Sequence, residues 1–328
     1  MGYNVFVTRK IPEIGLTILR ENCEVVEVNY EDRILTKEEL LKKVVGRNGI
    51  LCLLTDKIDE DVIMAAKGAR GFSNYAVGVD NIDVATATKY GMMISNTPGV
   101  LTDATADLTW ALLFSVARQI LEADRFVRNG RFKSWLPVGF LGADITGKTL
   151  GIIGAGRIGT AVALRAKSFR MRVLYYDIKA NETLERELNA EYVDLETLLQ
   201  ESDFISIHIP LTEETRHLIS TKELSVMKKT AILINTSRGA VIDEEELVKA
   251  LKERRIAGAG LDVYENEPQL TEGLVDLKNV VLLPHIGSAT VETRDKMAVI
   301  AAENLVAMMK GQIPHNLVNP EVLRVNKR

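Results

Sequence analysis

The sequence predicts an α/β protein of two doubly wound parallel-sheet domains, one inserted into the other. Short apolar runs alternate with helical patterns along the whole chain, which is typical of parallel βαβ architecture. At 328 residues the chain is long for a single domain, so two domains are the natural expectation. A glycine-rich motif of the kind that opens a doubly wound domain lies mid-chain, at Gly154–Gly159. A second domain inserted into the first explains that position.

The N-terminal part of the chain predicts a first small α/β unit. Its apolar runs predict strands at Val5–Thr8, Glu24–Val28, Gly49–Leu54, Gly71–Asn74 and Met92–Ser95. The patterns between these runs predict helices at Pro12–Arg20, Lys37–Val45, Glu60–Ala66 and Val84–Lys89. One long helix then follows, with Thr102 as its N-cap and Asn129-Gly130 as its stop. A loop rich in glycine and aromatic residues, Arg131–Gly147, separates this helix from the next unit.

The second α/β unit begins at the glycine-rich motif. Its strands are predicted at Leu150–Ile153, Val173–Tyr176, Phe204–Ile207, Ala231–Asn235, Ala259–Val263 and Val280–Leu283. A closing helix, Ala289–Lys310, is expected to cross back to the first unit. The expected domains are therefore residues 1–100 with 288–328, and residues 101–287.

Composition and charge exclude several classes of protein. The net charge of −4 does not suit a nucleic-acid or membrane-surface binder, and no apolar run is long enough for a membrane span. The N-terminal residues lack the features of a signal peptide, so a cytoplasmic location is expected. The two cysteines, Cys23 and Cys52, lie in apolar stretches and predict buried packing rather than a disulfide or metal site.

The spacing of Gly154, Gly156 and Gly159 indicates a dinucleotide-binding turn. The first glycine allows a tight turn, the second a close approach of the backbone to a pyrophosphate, and the third close helix–strand packing. An apolar run ending at Asp177 supplies an acid for the two ribose hydroxyls. Because a carboxylate repels a 2′-phosphate, Asp177 favours NAD over NADP, although Lys179 is close enough to soften that preference. A plain strand–helix turn is the alternative for the glycines alone.

Polar residues follow five successive strands of the second unit. In parallel sheets ligands bind beyond the carboxyl ends of the strands, so these groups are expected to meet at one edge. The strand ends are Asp177, His208–Pro210, Asn235–Gly239, Asp262–Pro268 and Pro284–Ser288. A purely structural sheet has no need of such a series, and the pattern therefore predicts a reaction site.

Arg238, Glu267 and His285 are the candidate catalytic residues at this edge. His285 is suited to exchange a proton near neutral pH, and Glu267 is the natural partner that stabilises its imidazolium form. Arg238 offers a planar fork suited to a carboxylate or a keto acid. Each alone has a structural alternative, namely a helix cap, a loop acid and a turn histidine. His208 is expected to line the cofactor or pack, rather than act as an acid.

The chain resembles the D-isomer-specific 2-hydroxyacid dehydrogenases over nearly its whole length, and most closely their glyoxylate/hydroxypyruvate reductase branch. The resemblance is carried by the glycine-rich motif and by the segments Asn74–Asn81, Asn96–Asp107, Asn235–Gly239, Asp262–Pro268 and Pro284–Thr290. It implies a central Rossmann-type cofactor domain inserted into a flavodoxin-like substrate domain. It also implies Arg238, Glu267 and His285 as the catalytic trio.

The resemblance implies further contacts. Val77 and Gly78 would bind the substrate carboxylate through backbone N–H groups, with Arg238, His285, Ser288 and Trp135 as further substrate contacts. The residues that would line the cofactor are Thr105, Gly154, Ala155, Gly156, Arg157, Ile158, Gly159, Asp177, His208, Pro210, Thr236, Ser237, Arg238, Asp262 and Gly287. Members are usually homodimers joined through the cofactor domains, and the Trp135–Pro137 loop would reach toward the partner's cleft. No metal is implied.

The activity implied by the resemblance is NAD(H)-dependent reduction of glyoxylate or hydroxypyruvate to glycolate or D-glycerate. Some members of this branch use NADPH and carry a non-acidic residue at the position of Asp177, so the acid here predicts NADH. Alternatives are a dehydrogenase of the D-lactate or 3-phosphoglycerate type and a non-enzymatic NAD-sensing corepressor. A phosphorylated substrate would need more basic residues near the pocket, and a corepressor would need extra protein-binding segments.

Overall fold

The computed structural model describes residues 2–325 and divides into two compact units. The first unit comprises the chain up to Leu101 together with the part from Ala289 onward, and the second unit is Thr102–Ser288. Within residues 2–325, no helix is both long and apolar enough to span a membrane.

The strands and helices alternate along the chain, as expected. Within the described residues the strands are β1 Asn4–Val7, β2 Val25–Val28, β3 Gly49–Leu53, β4 Gly71–Tyr75, β5 Met93–Ser95, β6 Thr149–Ile153, β7 Arg172–Tyr176, β8 Glu191–Tyr192, β9 Phe204–Ile207, β10 Ile232–Asn235, β11 Gly258–Leu261 and β12 Val280–Leu282. The α-helices are α1 Glu13–Asn22, α2 Lys37–Val44, α3 Glu60–Ala65, α4 Val84–Lys89, α5 Thr102–Ala117, α6 Ile120–Arg128, α7 Arg157–Arg165, α8 Glu182–Leu188, α9 Leu195–Glu201, α10 Thr221–Val226, α11 Glu244–Lys252, α12 Val291–Met309 and α13 Val322–Val325.

The first unit is built on a five-stranded parallel sheet in the order β2-β1-β3-β4-β5. Side chains alternate between the two faces of a strand, so Val5 and Val7 pack with α1 and α12, whereas Phe6 packs with α2 and α3. Both faces are covered, and the strands are accordingly rich in apolar residues, with Ser73, Asn74 and Ser95 as buried polar exceptions. This strand order is that of flavodoxin-like folds.

The second unit is built on a seven-stranded parallel sheet in the order β12-β11-β10-β9-β6-β7-β8. Helices α5 and α7 pack on one face, and α9, α10 and α11 pack on the other. The strand order reverses beside β6, whose neighbours are β7 and β9, so this is the topological switch point where doubly wound sheets bind ligands. The predicted fold class is confirmed.

The prediction of one long helix from Thr102 to Asn129 is wrong. The chain forms α5 and α6, separated at Gln119, which adopts a left-handed conformation with φ +52°. The loop after α6 folds back and interrupts the helix here. Ala143 N donates to Ala117 O at 2.8 Å, and the Gln119 side chain donates to Leu141 O at 2.8 Å. The apolar pattern runs through both helices, so periodicity alone does not reveal the break.

Smaller differences concern element ends. Thr102 is the first helical residue rather than the N-cap, and Asn129 ends α6 as predicted. The short strand β8, helices α8 to α11 and the C-terminal helix α13 have no counterpart among the predicted elements. Both cysteines are free, but Cys23 follows α1 and is only half-buried, whereas Cys52 is buried in β3.

Candidate active site

The predicted site residues that follow strands of the second unit lie at one edge of its sheet. All strand pairs there are parallel, so their carboxyl ends face the same side. The residues that follow β6, β7, β9, β10, β11 and β12 include Gly154, Asp177, His208, Thr236–Arg238, Asp262 and His285. The side chains predicted to bind the cofactor or take part in the reaction therefore lie on irregular turns at this edge.

The glycine-rich turn has the geometry of a phosphate cradle. Gly154 has φ +94° and donates its N–H to Tyr176 O at 2.8 Å, which brings the turn beside the end of β7. A Cβ on Gly156 would meet nothing within 4 Å, so space is open in front of α7. A Cβ on Gly159 would lie 1.9 Å from Gly154 O, so the helix packs directly against the turn. These residues fit a dinucleotide pyrophosphate at a helix N-terminus.

Asp177 lies beside this turn and is tied to it. Its Oδ2 accepts a hydrogen bond from Ala155 N at 2.6 Å, and its Oδ1 accepts one from Ile178 N at 2.6 Å. Asn181 holds the same turn from the other side, since its amide donates to Ala155 O and to Thr160 Oγ1, each at 2.8 Å. The carboxylate is therefore positioned at the start of the cradle, where a ribose next to the pyrophosphate would lie.

His208 lies at the switch point and is held neutral. Its backbone N–H donates to Ile153 O at 2.7 Å, and its Nε2 shares a 2.8 Å hydrogen bond with Ser206 Oγ. Its Nδ1 is buried and has no hydrogen-bond partner among the described residues. Burial lowers the pKa of His208 to about 3, so it cannot act as an acid near neutral pH. An orphaned buried nitrogen here fits the predicted cofactor-lining role, and Pro210 follows on the exposed surface.

Asn235 shapes the turn that carries Arg238. Its side chain is fully buried, with Oδ1 accepting from Ser237 N at 3.0 Å and Ser237 Oγ at 2.8 Å. Its amide donates to Arg238 O at 2.8 Å, which fixes the start of the following turn. Thr236 is also buried and shares a 2.9 Å hydrogen bond with Thr109 Oγ1 of α5. Polar side chains thus replace regular secondary structure in holding this turn.

Asp262 holds the turn that carries His285. The carboxylate is buried, and it accepts hydrogen bonds from Ile286 N and Gly287 N, each at 2.7 Å. Burial raises the pKa of Asp262, against the opposing effect of these donors and of the charge on His285. Thr105 Oγ1 donates to Gly287 O at 3.2 Å, and His285 itself adopts φ +54°. The imidazole is therefore aimed by a strained turn that neighbouring groups support.

Glu267 and His285 form a carboxylate–histidine pair. Oε2 of Glu267 lies 2.9 Å from Nδ1 of His285, and the two side chains are 30% and 28% exposed. The other oxygen, Oε1, accepts from Tyr264 N at 3.0 Å. Burial raises the pKa of Glu267, but the hydrogen bond and charge of His285, the Tyr264 N–H and the Arg238 charge outweigh it, so the pKa is lowered overall. An ionised Glu267 stabilises an imidazolium and leaves Nε2 free of this bond.

Val77 and Gly78 lie in the first unit, after the end of β4. The carbonyl oxygens of this turn are held by two side-chain amides, with Asn74 donating to Gly78 O at 2.9 Å and Asn96 donating to Val77 O at 2.7 Å. Both backbone carbonyls are thereby oriented by buried or half-buried groups of the same unit. The predicted carboxylate contact stays a prediction.

The remaining predicted residues are spread along the second unit. Trp135 lies in the loop after α6 and is 80% exposed, and Ser288 is the last residue of the unit. Arg157 is exposed at the start of α7, with Ile158 half-buried beside it. Among residues 2–325, no group of three or more His, Cys, Asp or Glu is arranged to hold a metal ion.

Several supporting residues were not predicted. Asn181 is far from the glycine motif in sequence, and only the fold brings it there. His217 is exposed, and its Nε2 lies 2.7 Å from Glu265 Oε1 in the segment that carries Glu267. Glu244 is a buried carboxylate against that same segment. No helix is predicted from the sequence at Glu244, and an acidic run such as Asp243–Glu246 by itself indicates only helix capping.

Comparison with known proteins gives a consistent picture. Residues 110–287 match the domain family described as D-isomer specific 2-hydroxyacid dehydrogenase, NAD binding domain. A glyoxylate reductase of Thermococcus litoralis is 55% identical over 327 residues, which are 98% of each chain.

Solved structures with this architecture cover nearly the whole chain. A protein of Thermus thermophilus superimposes with a TM-score of 0.91 at 46% identity, covering 96% of this chain and 99% of its own. An NADPH-dependent glyoxylate/hydroxypyruvate reductase of Sinorhizobium meliloti, solved with NADP and malonate, gives a TM-score of 0.85 at 31% identity and 98% coverage of both chains.

The lowered pKa of Glu267 predicts a pH-dependent contribution to stability. Its carboxyl titrates below the ordinary value of 4.5 in the folded protein, so its ionisation stabilises the fold above that value, and this contribution is lost as the pH falls through the folded value. We expect Glu267→Gln to lower the melting temperature at neutral pH and by progressively less below pH 4.5. Thermal denaturation across this range measures the difference, with exposed Glu272→Gln as the charge control. A difference that does not shrink with acid contradicts the analysis.

Proposed function

The chain belongs to the D-isomer specific 2-hydroxyacid dehydrogenase family, and we propose that it reduces glyoxylate or hydroxypyruvate with NADH as the preferred donor. The products are glycolate or D-glycerate. The family match makes it an oxidoreductase with a nicotinamide cofactor. The single observation that supports the proposal is the Glu267–His285 pair, with Oε2 and Nδ1 2.9 Å apart, at the same sheet edge as the phosphate cradle.

The proposed roles follow from the state of each side chain. A bound nicotinamide supplies the hydride that reduces C2 of the keto acid. His285 donates the accompanying proton to the keto oxygen from Nε2, since its Nδ1–H is held by Glu267. Glu267 keeps the ring oriented, because its Oε2 lies 2.9 Å from Nδ1 while its Oε1 is held by Tyr264 N at 3.0 Å. His208, with a pKa of about 3, is excluded from this role.

Substrate recognition in this proposal depends on charge and on backbone donors. The Arg238 guanidinium presents parallel N–H groups that suit a carboxylate and polarise a keto oxygen. Its carbonyl is anchored by Asn235 at 2.8 Å, which restrains the arginine backbone. Val77 and Gly78 are the proposed N–H donors to the substrate carboxylate, and Ser288 and Trp135 are the proposed further contacts.

The preference for NADH depends on Asp177. Its carboxylate lies at the start of the phosphate cradle, bonded to Ala155 N at 2.6 Å, where it can accept from ribose hydroxyls. A 2′-phosphate would meet a negative charge at that place, and like charges about 4 Å apart near a protein surface repel by up to roughly 4 kcal/mol. The Sinorhizobium relative is NADPH-dependent, so family membership leaves the choice to such local residues.

A homodimer joined through the second unit completes the proposal. Three large apolar side chains of the loop after α6 are strongly exposed: Trp135 at 80%, Val138 at 80% and Leu141 at 69%. A groove of about 960 Å³ in the same unit is lined by residues of α5, α6 and β12. Exposed apolar area of this kind marks an interaction surface, and a second copy is the occupant that the family resemblance implies.

The substrate and cofactor assignment is tested by nicotinamide absorbance with the purified full-length protein. Glyoxylate, hydroxypyruvate and pyruvate are each supplied with NADH and with NADPH. We expect the highest kcat/KM with glyoxylate or hydroxypyruvate and NADH, because Asp177 disfavours the 2′-phosphate. NADPH preference would overturn the cofactor assignment only. Turnover of none of the three acids would favour a bulkier substrate or an NAD-sensing role.

The proton-donor role of His285 is tested by His285→Ala. Loss of a positioned general acid should lower kcat by about 10²- to 10⁴-fold. NADH affinity, followed by fluorescence titration, should stay close to that of the wild type. The phosphate cradle and Asp177 follow β6 and β7, whereas His285 follows β12. His315→Ala removes an exposed histidine of the first unit and serves as the control. A His285→Ala variant with normal kcat would contradict the assignment.

The homodimer is tested by sedimentation equilibrium. The wild type should show twice the 36.4 kDa chain mass. Trp135→Ser combined with Val138→Ser should weaken association, because both side chains are 80% exposed in the isolated chain. Tyr30→Ser, at an exposed site of the first unit, should leave association unchanged. A monomeric wild type at micromolar concentration would rule the dimer out.

A further inference from the structure

The segment that carries Glu267 has little regular structure of its own. It links β11 to β12 and contains only an isolated bridge between Asn266 and Gln269. A misplacement of about 1 Å in a reacting group can cost roughly 10²-fold in rate, so a carboxylate on such a segment needs anchors outside it.

One anchor lies on the N-terminal side of Glu267. Tyr264 is buried, and its hydroxyl donates to Leu283 O at 2.8 Å, next to the turn of His285. A Cβ on Gly239 would lie 1.8 Å from Tyr264 C, so the backbone after Arg238 packs directly on this point. Tyr264 therefore ties the start of the segment to both neighbouring turns.

Glu244 provides a second anchor, with hydrogen-bond partners on both sides of Glu267 in the sequence. Glu244 is the first residue of α11 and is only 2% exposed. Its Oε1 accepts from Glu265 N at 3.1 Å, and its Oε2 accepts from Thr271 N at 3.3 Å and from Thr271 Oγ1 at 2.6 Å. The two partners lie on either side of Glu267 in sequence. One carboxylate thus closes the segment around Glu267.

A second hydrogen bond joins the same two residues, with Glu244 now as the donor and Glu265 as the acceptor. Oε2 of Glu265 accepts from Glu244 N at 3.4 Å, and Oε1 of Glu265 pairs with His217 Nε2 at 2.7 Å. His217 N donates in turn to Ala240 O at 2.9 Å, in the turn after Arg238. Burying a carboxylate costs free energy unless hydrogen-bond donors replace the lost water. For Glu244 these donors come from the segment that carries Glu267. The buried charge therefore favours the closed segment.

We propose that Glu244 is a positioning residue for the reaction, which clamps the Glu265–Thr271 segment and thereby places Glu267 against His285. Glu244 touches neither substrate nor the reacting atoms and acts only through this segment. The proposal rests on the proposed function, since it assigns Glu244 a role in the protonation step.

The test compares Glu244→Gln with Glu246→Gln in the full-length enzyme. Glutamine keeps the shape of the side chain but removes the charge and turns one acceptor into a donor that faces N–H groups. We expect kcat with glyoxylate to fall by about 10- to 100-fold, as for a slight misplacement of Glu267, with KM for NADH unchanged. Glu246 lies in the same helical turn but bonds to Thr221 and Lys249, so Glu246→Gln should behave as wild type.

Thr271→Val provides a second route, because it removes the hydroxyl at 2.6 Å with little change in volume. It should lower kcat in the same direction by a smaller factor. Hydrogen exchange of the segment from Val263 to Leu274 gives a readout that does not depend on turnover, and exchange should be faster in Glu244→Gln.

A double variant separates positioning from a general structural effect. In a Glu267→Gln background, Glu244→Gln should cause little further loss of kcat, because its effect is transmitted through Glu267. The same fold-loss in both backgrounds would overturn the proposal, as would normal kcat in both Glu244→Gln and Thr271→Val. A wild type that reduces no 2-keto acid would overturn the proposed function instead, and unchanged exchange in Glu244→Gln would then refute the clamp as well.

Discussion

The parallel alignment of the seven strands in the second unit is the constraint on which the rest depends. Parallel strands present all their carboxyl ends to one edge, so turns that are distant in sequence become neighbours. The reversal of strand order beside β6 opens a crevice there, and the glycine turn and His208 flank it. The dinucleotide cradle and the histidine–carboxylate pair share this edge for the same reason. Asp177 and His285, more than a hundred positions apart in the printed sequence, come to a common side in this way.

The turns at this edge are held mainly by buried polar side chains. Asn235 shapes the turn of Arg238, Asp262 the turn of His285, and Glu244 the segment of Glu267, each through bonds to backbone N–H or C=O groups. An unsatisfied buried backbone group is costly, so these side chains supply the partners that strand and helix ladders supply elsewhere. The arrangement gives irregular backbone a defined geometry, and a reaction that needs one proton at one place requires such a geometry.

Two histidines at the same edge illustrate how environment selects chemistry. His208 is packed at the switch point with Ser206 as its side-chain partner, and burial lowers its pKa to about 3. His285 instead faces Glu267 at 2.9 Å on a partly exposed turn. The charged form of a histidine needs either water or a carboxylate. Of these two residues His285 has the carboxylate partner, so the two imidazoles lie in different electrostatic surroundings.

The sequence by itself determined the fold class, the glycine turn, the positions of most strands along the chain and the candidate trio. These follow from local signals, namely apolar runs of strand length, glycine spacing and polar residues at strand ends. Tertiary structure decided the break at Gln119, because a hydrogen bond from Ala143 to Ala117 ends the helix where the apolar pattern continues. It also decided the roles of Asn181, His217 and Glu244. Their partners lie up to 48 residues away, and no local pattern records a hydrogen bond that only the packed chain can form.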